Sequence, residues 1–451
     1  MKLRNNILKS NLTKYTISLF FTLVFILGRT FMGVYIFGFR VGEIMMGASL
    51  LILISSLIFL NKELIDVFGK NFVRVNFLIL LSFILNALYT NSSFTSPYTY
   101  KSSSYIWTIG FFYLGYFFFR VNNISTSFMY FQIGVLVYIY FFSIYGLPTS
   151  ISDFFLTISD KFEPHKGSDI LIMFVTVFFI SNRLNSNKRF AFELFVAFSV
   201  AYLPLVLFKS RASIIALLIF FIFEFIYFNS ELESNFKRNA ILTIFCIGIF
   251  LQSVFLVSGS GFLEDSQESF VSEVEYGLDY IATYRADPDD EVFRLFYIAE
   301  DDLGTRTTRI FSTDNNLNWR LQIWQDVVYD LIYKDSLITG YGFQGMIPAM
   351  EPIDRQGLDR LNENVHNFPV NLLARGGLLT LILYIYLYTI FFSNMKNKYR
   401  SYYFLPFFVP VFFNTLFDVT MENSHYPLIF YFVIGMMYNK EKFFMTNKTI
   451  T

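Results

Sequence analysis

Long apolar blocks alternate with short polar ones along this chain. Each apolar block runs to roughly 15–20 residues, about what a helix needs to cross a bilayer. None shows the in/out alternation of a barrel strand, and only helices or closed barrels satisfy every backbone polar group in lipid. The pattern predicts an all-α polytopic membrane protein with about twelve transmembrane helices and one large extracytoplasmic loop. The spans fall at 15–31, 43–60, 73–89, 104–119, 127–146, 168–182, 190–208, 211–228, 239–257, 368–393, 402–418 and 426–439. Three places strain the pattern: the short run 168–182, the tight turn at 208–211, and segment 30–42, which reads as a re-entrant or interfacial piece.

The polar segment 258–366, between the ninth and tenth spans, divides the chain. Residues 1–257 form a membrane bundle of nine spans, 258–366 an extracytoplasmic (periplasmic) loop with short helices, and 367–451 the last three spans and a tail. From Glu264 to Glu363 the loop carries 21 acidic residues against 8 basic ones, with 263–302 its most acidic stretch. Trp319, Ile323, Trp324, Val327, Val328, Leu331 and Ile332 recur at helical spacing, so a helix is expected over 319–333. Lys and Arg set the orientation: 19 fall on one side and 7 in the short loops of the other. This bias places both termini in the cytoplasm and the long loop outside.

Apolar residues make up 54% of the chain and charged ones 16%, well below the charge of a soluble domain. The one cysteine, Cys246, excludes an intramolecular disulfide and a cysteine metal site. With three histidines in all, neither a metal centre nor a cofactor is expected. Nothing points to nucleic acid, and no nucleotide-binding loop is present. Lys2, Arg4, Lys9 and Lys14 precede an apolar run as in a signal peptide, but no small-residue cleavage site follows, so the run reads as a retained first span.

Four groups of residues on the predicted outer face carry candidate chemistry. Lys209, Ser210 and Arg211 sit in the tight turn, where cations run against the charge bias. Arg211 would open the next helix and, with its free N–H groups, form an anion site; the bland alternative is snorkelling to lipid headgroups. Arg320 shares a helical face with Trp324, Val327 and Leu331 and either turns inward or reaches water. His366 and Asn367 enter the tenth span, with Arg375 two to three turns on. A neutral imidazole there can take a proton from a sugar hydroxyl, or be purely structural; Arg375 reads as a second phosphate ligand or a snorkelling residue. Glu422 and His425 lie in the loop before the last span and either orient a substrate or are solvated. The glycines of "TGYGFQG" suit a turn close to a ligand.

In order and spacing, three stretches resemble the O-antigen ligase and polymerase superfamily of bacterial cell envelopes. "KSRASIIALL" resembles its Ser-Arg motif opening a membrane helix. "WRLQIWQDVVYDLIYKDSLITGYG" resembles its Arg, then Trp, then Gly-x-Gly pattern, and "VHNFPVNLLARGGLLTLIL" its His-Asn followed by span-opening glycines. The resemblance implies a metal-independent glycosyltransferase in the bacterial cytoplasmic (inner) membrane. It would move a glycan from undecaprenyl diphosphate to lipid A–core, a lipid-linked repeat or a protein hydroxyl, with the lipid bilayer as its medium. Arg211 and Arg320, assisted by Lys209, would stabilise the diphosphate; His366 would orient or deprotonate the acceptor; Asn367 would fix the His366 ring. The chain departs from the family pattern at Arg375, which adds a third cation before the glycine pair. The competing reading is a transporter or flippase, but its charges would be expected at mid-membrane rather than at the outer boundary.

Overall fold

The computed structural model describes residues 10–159, 165–232, 236–259, 296–300, 308–356, 362–399 and 403–439. The acidic stretch 263–302, apart from 296–300, lies outside them, as do the chain ends on which the terminal orientation rests.

In chain order the elements are α1 (Asn11–Met32), β1 (Tyr35–Ile36), β2 (Phe39–Arg40), α2 (Val41–Phe59), α3 (Asn61–Phe68), α4 (Lys70–Tyr89), α5 (Pro97–Ser102), α6 (Ser104–Trp107), α7 (Gly110–Val121), α8 (Thr126–Tyr145) and α9 (Thr149–Ile158). They continue with α10 (Gly167–Leu184), α11 (Lys188–Lys209), α12 (Arg211–Glu231), α13 (Phe236–Ser258), β3 (Phe296–Glu300), β4 (Thr308–Ser312), α14 (Asn315–Tyr333), α15 (Phe368–Tyr399), α16 (Leu405–Asn414) and α17 (His425–Met437). The chain is an all-α polytopic membrane protein, and its only strands among the described residues are two antiparallel two-stranded ribbons.

Nine helices among the described residues are long and apolar enough to cross a membrane: α1, α2, α4, α8, α10, α11, α12, α13 and α15. The three other expected spans are present as shorter helices. The run 104–119 breaks between α6 and α7, and α16 and α17 have 10 and 13 residues. The reason is burial. All thirteen residues of α17 are buried, as are most of α7 and α16. Backbone packed inside protein can end or break a helix where lipid-exposed backbone cannot.

α10 is the axis of the bundle. It is buried almost end to end and packs against α8, α11, α12, α16 and α17. At its far end Arg183 meets the buried Glu224 of α12 at 2.6 Å, and Asn182 donates to the same carboxylate at 2.8 Å. α17 and α7 approach until backbones touch. A side chain at Gly435 would collide with the Phe112 carbonyl, and one at Gly115 with the Phe432 carbonyl. Small residues at such crossings are how helices pack without a hydrophobic drive between them.

The expected loop helix is α14. Its apolar stripe, Ile323, Val327 and Leu331, buries against Ile347, Met350, Val365 and Ala374 in a second, smaller core. The β3–β4 ribbon lies on its other side, where Asp326 receives Arg309 at 2.7 Å and Arg355 at 2.6 Å.

Overpacking of this kind costs about 1–3 kcal/mol or more. Gly115→Leu is therefore expected to abolish the monodisperse peak on size-exclusion chromatography in detergent. Gly134→Leu, on α8 where a Cβ meets nothing within 4 Å, should keep it.

Candidate functional site

The site forms where the first turns of α10 and α12 meet. Ser210 is the single residue between α11 and α12. Its Oγ accepts the Ser213 N–H at 3.2 Å and so caps α12. A Cβ on Gly167 would lie 2.5 Å from that of Ser210, which brings the start of α10 against the cap. Arg211 takes the first helical position of α12, with its side chain 77% exposed, and pairs with Asp314. Asp314 also caps α14, accepting the Leu317 N–H at 2.9 Å. One carboxylate thus joins Arg211 to the helix that carries Arg320.

α14 then delivers two side chains to His366. The Trp319 ring meets the imidazole edge-on at 5.3 Å between centroids. Arg320 is largely desolvated, its Nε makes no hydrogen bond among the described residues, and Asp418 is its opposing charge. Trp324 donates from Nε1 to the Val365 carbonyl at 2.7 Å and fixes the chain just before His366. His366 itself has φ +52°, a conformation that an L residue holds only where its surroundings enforce it. Its Nε2 pairs with Asn362 Oδ1 at 3.1 Å, and its Nδ1 lies 3.9 Å from Asp418 Oδ1.

α10 holds the far wall. Ser168 Oγ donates to Asp418 Oδ2 at 2.5 Å, and Asp169 accepts His425 Nε2 at 2.7 Å and faces Arg29 Nε at 3.4 Å. His165 packs where α1 kinks at Gly28, its Nε2 donating to the Ile26 carbonyl at 2.9 Å. All three histidines of the chain therefore gather at this end of the bundle.

Burial and then the neighbouring Arg320 charge hold the His366 imidazole well below its usual pKa, against an opposing pull from Asp418. Burial likewise takes His165 down to about 4. Burial alone would raise Asp418, but Arg29, the Ser168 hydrogen bond and Lys166 pull it below its usual value. Glu422, its Oε2 buried without a hydrogen bond among the described residues, is pushed up to about 7, chiefly by burial.

The structure thus brings together Ser210, Arg211, Arg320, His366 and His425, with Lys209 close enough to feel Asp169. Others serve differently from expectation. Asn367 caps α15, accepting the Val370 N–H at 2.9 Å and donating to the Leu416 carbonyl, so the partner of the His366 ring is Asn362 instead. His425 is buried rather than solvated. Arg375 is buried too, and its guanidinium donates to the carbonyls of Gly342 and Gly345 and lies over Tyr98. It fastens the "TGYGFQG" turn to α15. Tyr341 N–H reaches the Ala374 carbonyl at 2.7 Å and Leu378 N–H the Leu337 carbonyl at 2.8 Å, across a kink where Gly377 has φ +67°. Gly340, at φ +71°, lies against that kink with no room for a side chain. Gly340 thus serves a backbone-to-backbone clasp, whereas a Cβ on Gly342 would meet the Thr90 side chain and one on Gly345 nothing within 4 Å.

Sequence reasoning missed Arg29, His165, Lys166, Ser168, Asp169, Asn362 and Asp418. Four of these, Arg29, Ser168, Asp169 and Asp418, lie within predicted spans, where polar residues are costly. Charge at a span edge, as well as in the loops, was the signal that finds them.

Comparison with known proteins matches residues 194–385 to the family described as O-antigen ligase. The match runs from α11 into α15 and includes Lys209, Ser210, Arg211, Arg320, Trp324, His366, Asn367 and Arg375. No curated protein matches the chain.

Two outcomes are expected. Arg320→Gln should raise the His366 pKa towards the ordinary ~6.5, read by NMR of labelled histidine. Because the folded value is depressed, the unfolded chain takes up this proton first, so the wild type should lose stability as pH falls below ~6.5 and the variant less. Gly340→Ala should lower the detergent melting temperature, by a strain and packing cost of about 2 kcal/mol or more.

Proposed function

We propose, from the match of residues 194–385 to the family described as O-antigen ligase, that this chain transfers a glycan from undecaprenyl diphosphate to an acceptor hydroxyl on the periplasmic side of the bacterial inner membrane. The observation that carries the proposal is the convergence of three distant motifs. Ser210-Arg211, Trp319-Arg320 and His366 meet at one end of the bundle through Asp314 and Asp418.

The charge balance of that end supports an anionic donor. Arg29, Lys166, Lys209, Arg211 and Arg320 face Asp169, Asp314 and Asp418, an excess of two positive charges with the histidines neutral. Arg375 and Glu422 lie beside them as one further pair of opposite sign. A diphosphate diester matches that excess. The more buried of these charges, Arg29, Lys209 and Arg320, are less screened than the exposed Arg211 and Lys166, and all are held in place before the leaving group forms.

The reaction then follows. The acceptor oxygen attacks the anomeric carbon, the bond from that carbon to the diphosphate oxygen breaks, and the diphosphate leaves with its electron pair, held by Arg211 and Arg320. The hydroxyl proton passes to His366. The resting imidazole is neutral, as a base must be, but weak because of burial and then the Arg320 charge. A bound diphosphate would offset the Arg320 charge and raise the basicity of His366 when the donor is present. No metal enters this scheme. Lipid A–core as acceptor makes the chain a ligase, a lipid-linked repeat makes it a polymerase, and a protein hydroxyl makes it a protein glycosyltransferase.

Arg211→Ala, Arg320→Ala and His366→Ala are each expected to lower transfer by roughly 100-fold or more while leaving folded protein. The check is the surface glycolipid ladder of a deletion strain complemented with each variant. Loss of long chains with single-repeat caps retained identifies a polymerase. Core alone, with lipid-linked polymer accumulating, identifies a ligase. Wild-type ladders from all three variants refute the assignment.

A further inference from the structure

The segment between α1 and α2 plays no part in the chemistry above, yet its geometry is unusual. Tyr35 pairs with Arg40 and Ile36 with Phe39, which leaves Phe37-Gly38 as a two-residue hairpin turn. Both turn residues have positive φ, +52° and +83°, as a type I′ turn requires. Asn, Asp or Gly normally fills the first of these positions, whereas this chain places a phenylalanine there in the left-handed region. Its ring is 98% exposed, touching essentially nothing of the protein. Tyr35, Ile36 and Phe39 are exposed beside it.

A second apolar surface adjoins the hairpin. α9 has no buried residue, and Ile151, Phe154 and Leu156 stand out from it. Val34 bridges to Ser159 just past the end of α9, and Ser159 Oγ donates to the Thr30 carbonyl at 3.1 Å. Hairpin and helix are thus fastened together, and both sit at the site-bearing end. Arg29 is one residue before Thr30, and Gly42, two residues after the hairpin, packs against Ser424 beside His425.

We propose that hairpin 35–40 and α9 form an apolar collar that dips into the lipid layer around the site-bearing end of the bundle. The occupant is the bilayer itself, at the boundary of headgroups and acyl chains. Continuity argues for it: the two strands run directly out of α1 and into α2, both membrane-crossing helices. The side-chain chemistry agrees. Aromatic residues at the tip are backed by Arg40, whose guanidinium donates to the Tyr35 hydroxyl at 3.2 Å, the pairing of aromatic and cation found at membrane interfaces. In water the exposed ring and its left-handed backbone are two separate costs. In lipid, transfer of the ring offsets both.

The single cysteine makes the test direct. In a Cys246→Ala background, Phe37→Cys carries a nitroxide spin label in lipid nanodiscs, with Lys334→Cys on the exposed end of α14 as the water reference. The expected result is relaxation by oxygen far exceeding that by a water-soluble nickel chelate at position 37, and the reverse at 334. Strong nickel relaxation at 37 overturns the collar. Shielding from both reagents also overturns it, because another protein segment or a second copy then covers the tip. A second measurement is independent of the label. Phe37→Asn suits the turn and should leave the melting temperature in detergent unchanged or higher; a clear fall means that the ring packs against protein, and the proposal fails.

Discussion

The site end of this protein depends on one buried carboxylate. Asp169 is only 1% exposed, and an unpaired charge so placed would cost several kcal/mol. Its partners are drawn from separate parts of the chain: Arg29 from α1, His425 from the start of α17, and the backbone N–H of Lys166. Satisfying Asp169 therefore gathers the first, middle and last helices at one point. Ser168, next in sequence, extends the effect by orienting Asp418 towards His366. The first turn of α10 thus fixes both the loop that follows α16 and the charge that faces the histidine.

The same desolvation sets the chemistry. Partial burial and the neighbouring Arg320 charge hold the His366 pKa down, so the ring stays neutral, and the Arg320 charge, its Nε buried, is felt strongly there. Two cations beside a neutral imidazole suit an anion better than they suit each other. An arrangement held in advance by capping residues, Ser210 under Arg211 and Asp314 under α14, spares the reaction the work of assembling it.

The helical membrane architecture was legible because apolar runs of span length leave lipid-exposed backbone few alternatives. Arg211, Arg320 and His366 were legible because each stands at a boundary where a charge is conspicuous. The shortening of α16 and α17 was not, since a run buried by protein and a run buried by lipid have the same composition. Asp418 was hidden for that reason: it closes an apolar run that reads as part of a span, yet the helix stops at Asn414 and the residue reaches the site. The glycines of "TGYGFQG" misled in the opposite direction. A turn that needs close approach was evident, but whether it approaches a ligand or another backbone depends on Gly377, some thirty-five residues away in sequence and beyond any local pattern.

The two ends of the bundle make the distinction between structural and functional charge concrete. At the far end Arg183 and Glu224 are matched one to one. Asn182 fills a further position on the carboxylate, and the Phe179 and Tyr227 rings lie against the guanidinium. This network ties α10 to α12. At the site end cations outnumber carboxylates, and Arg320 Nε, His366 Nδ1 and Glu422 Oε2 are buried without hydrogen bonds among the described residues. Folding alone gives no reason to keep such groups, because replacing them with apolar ones would stabilise the chain. Under the proposed function, a bound substrate would supply their partners, beside a histidine held in a left-handed backbone conformation.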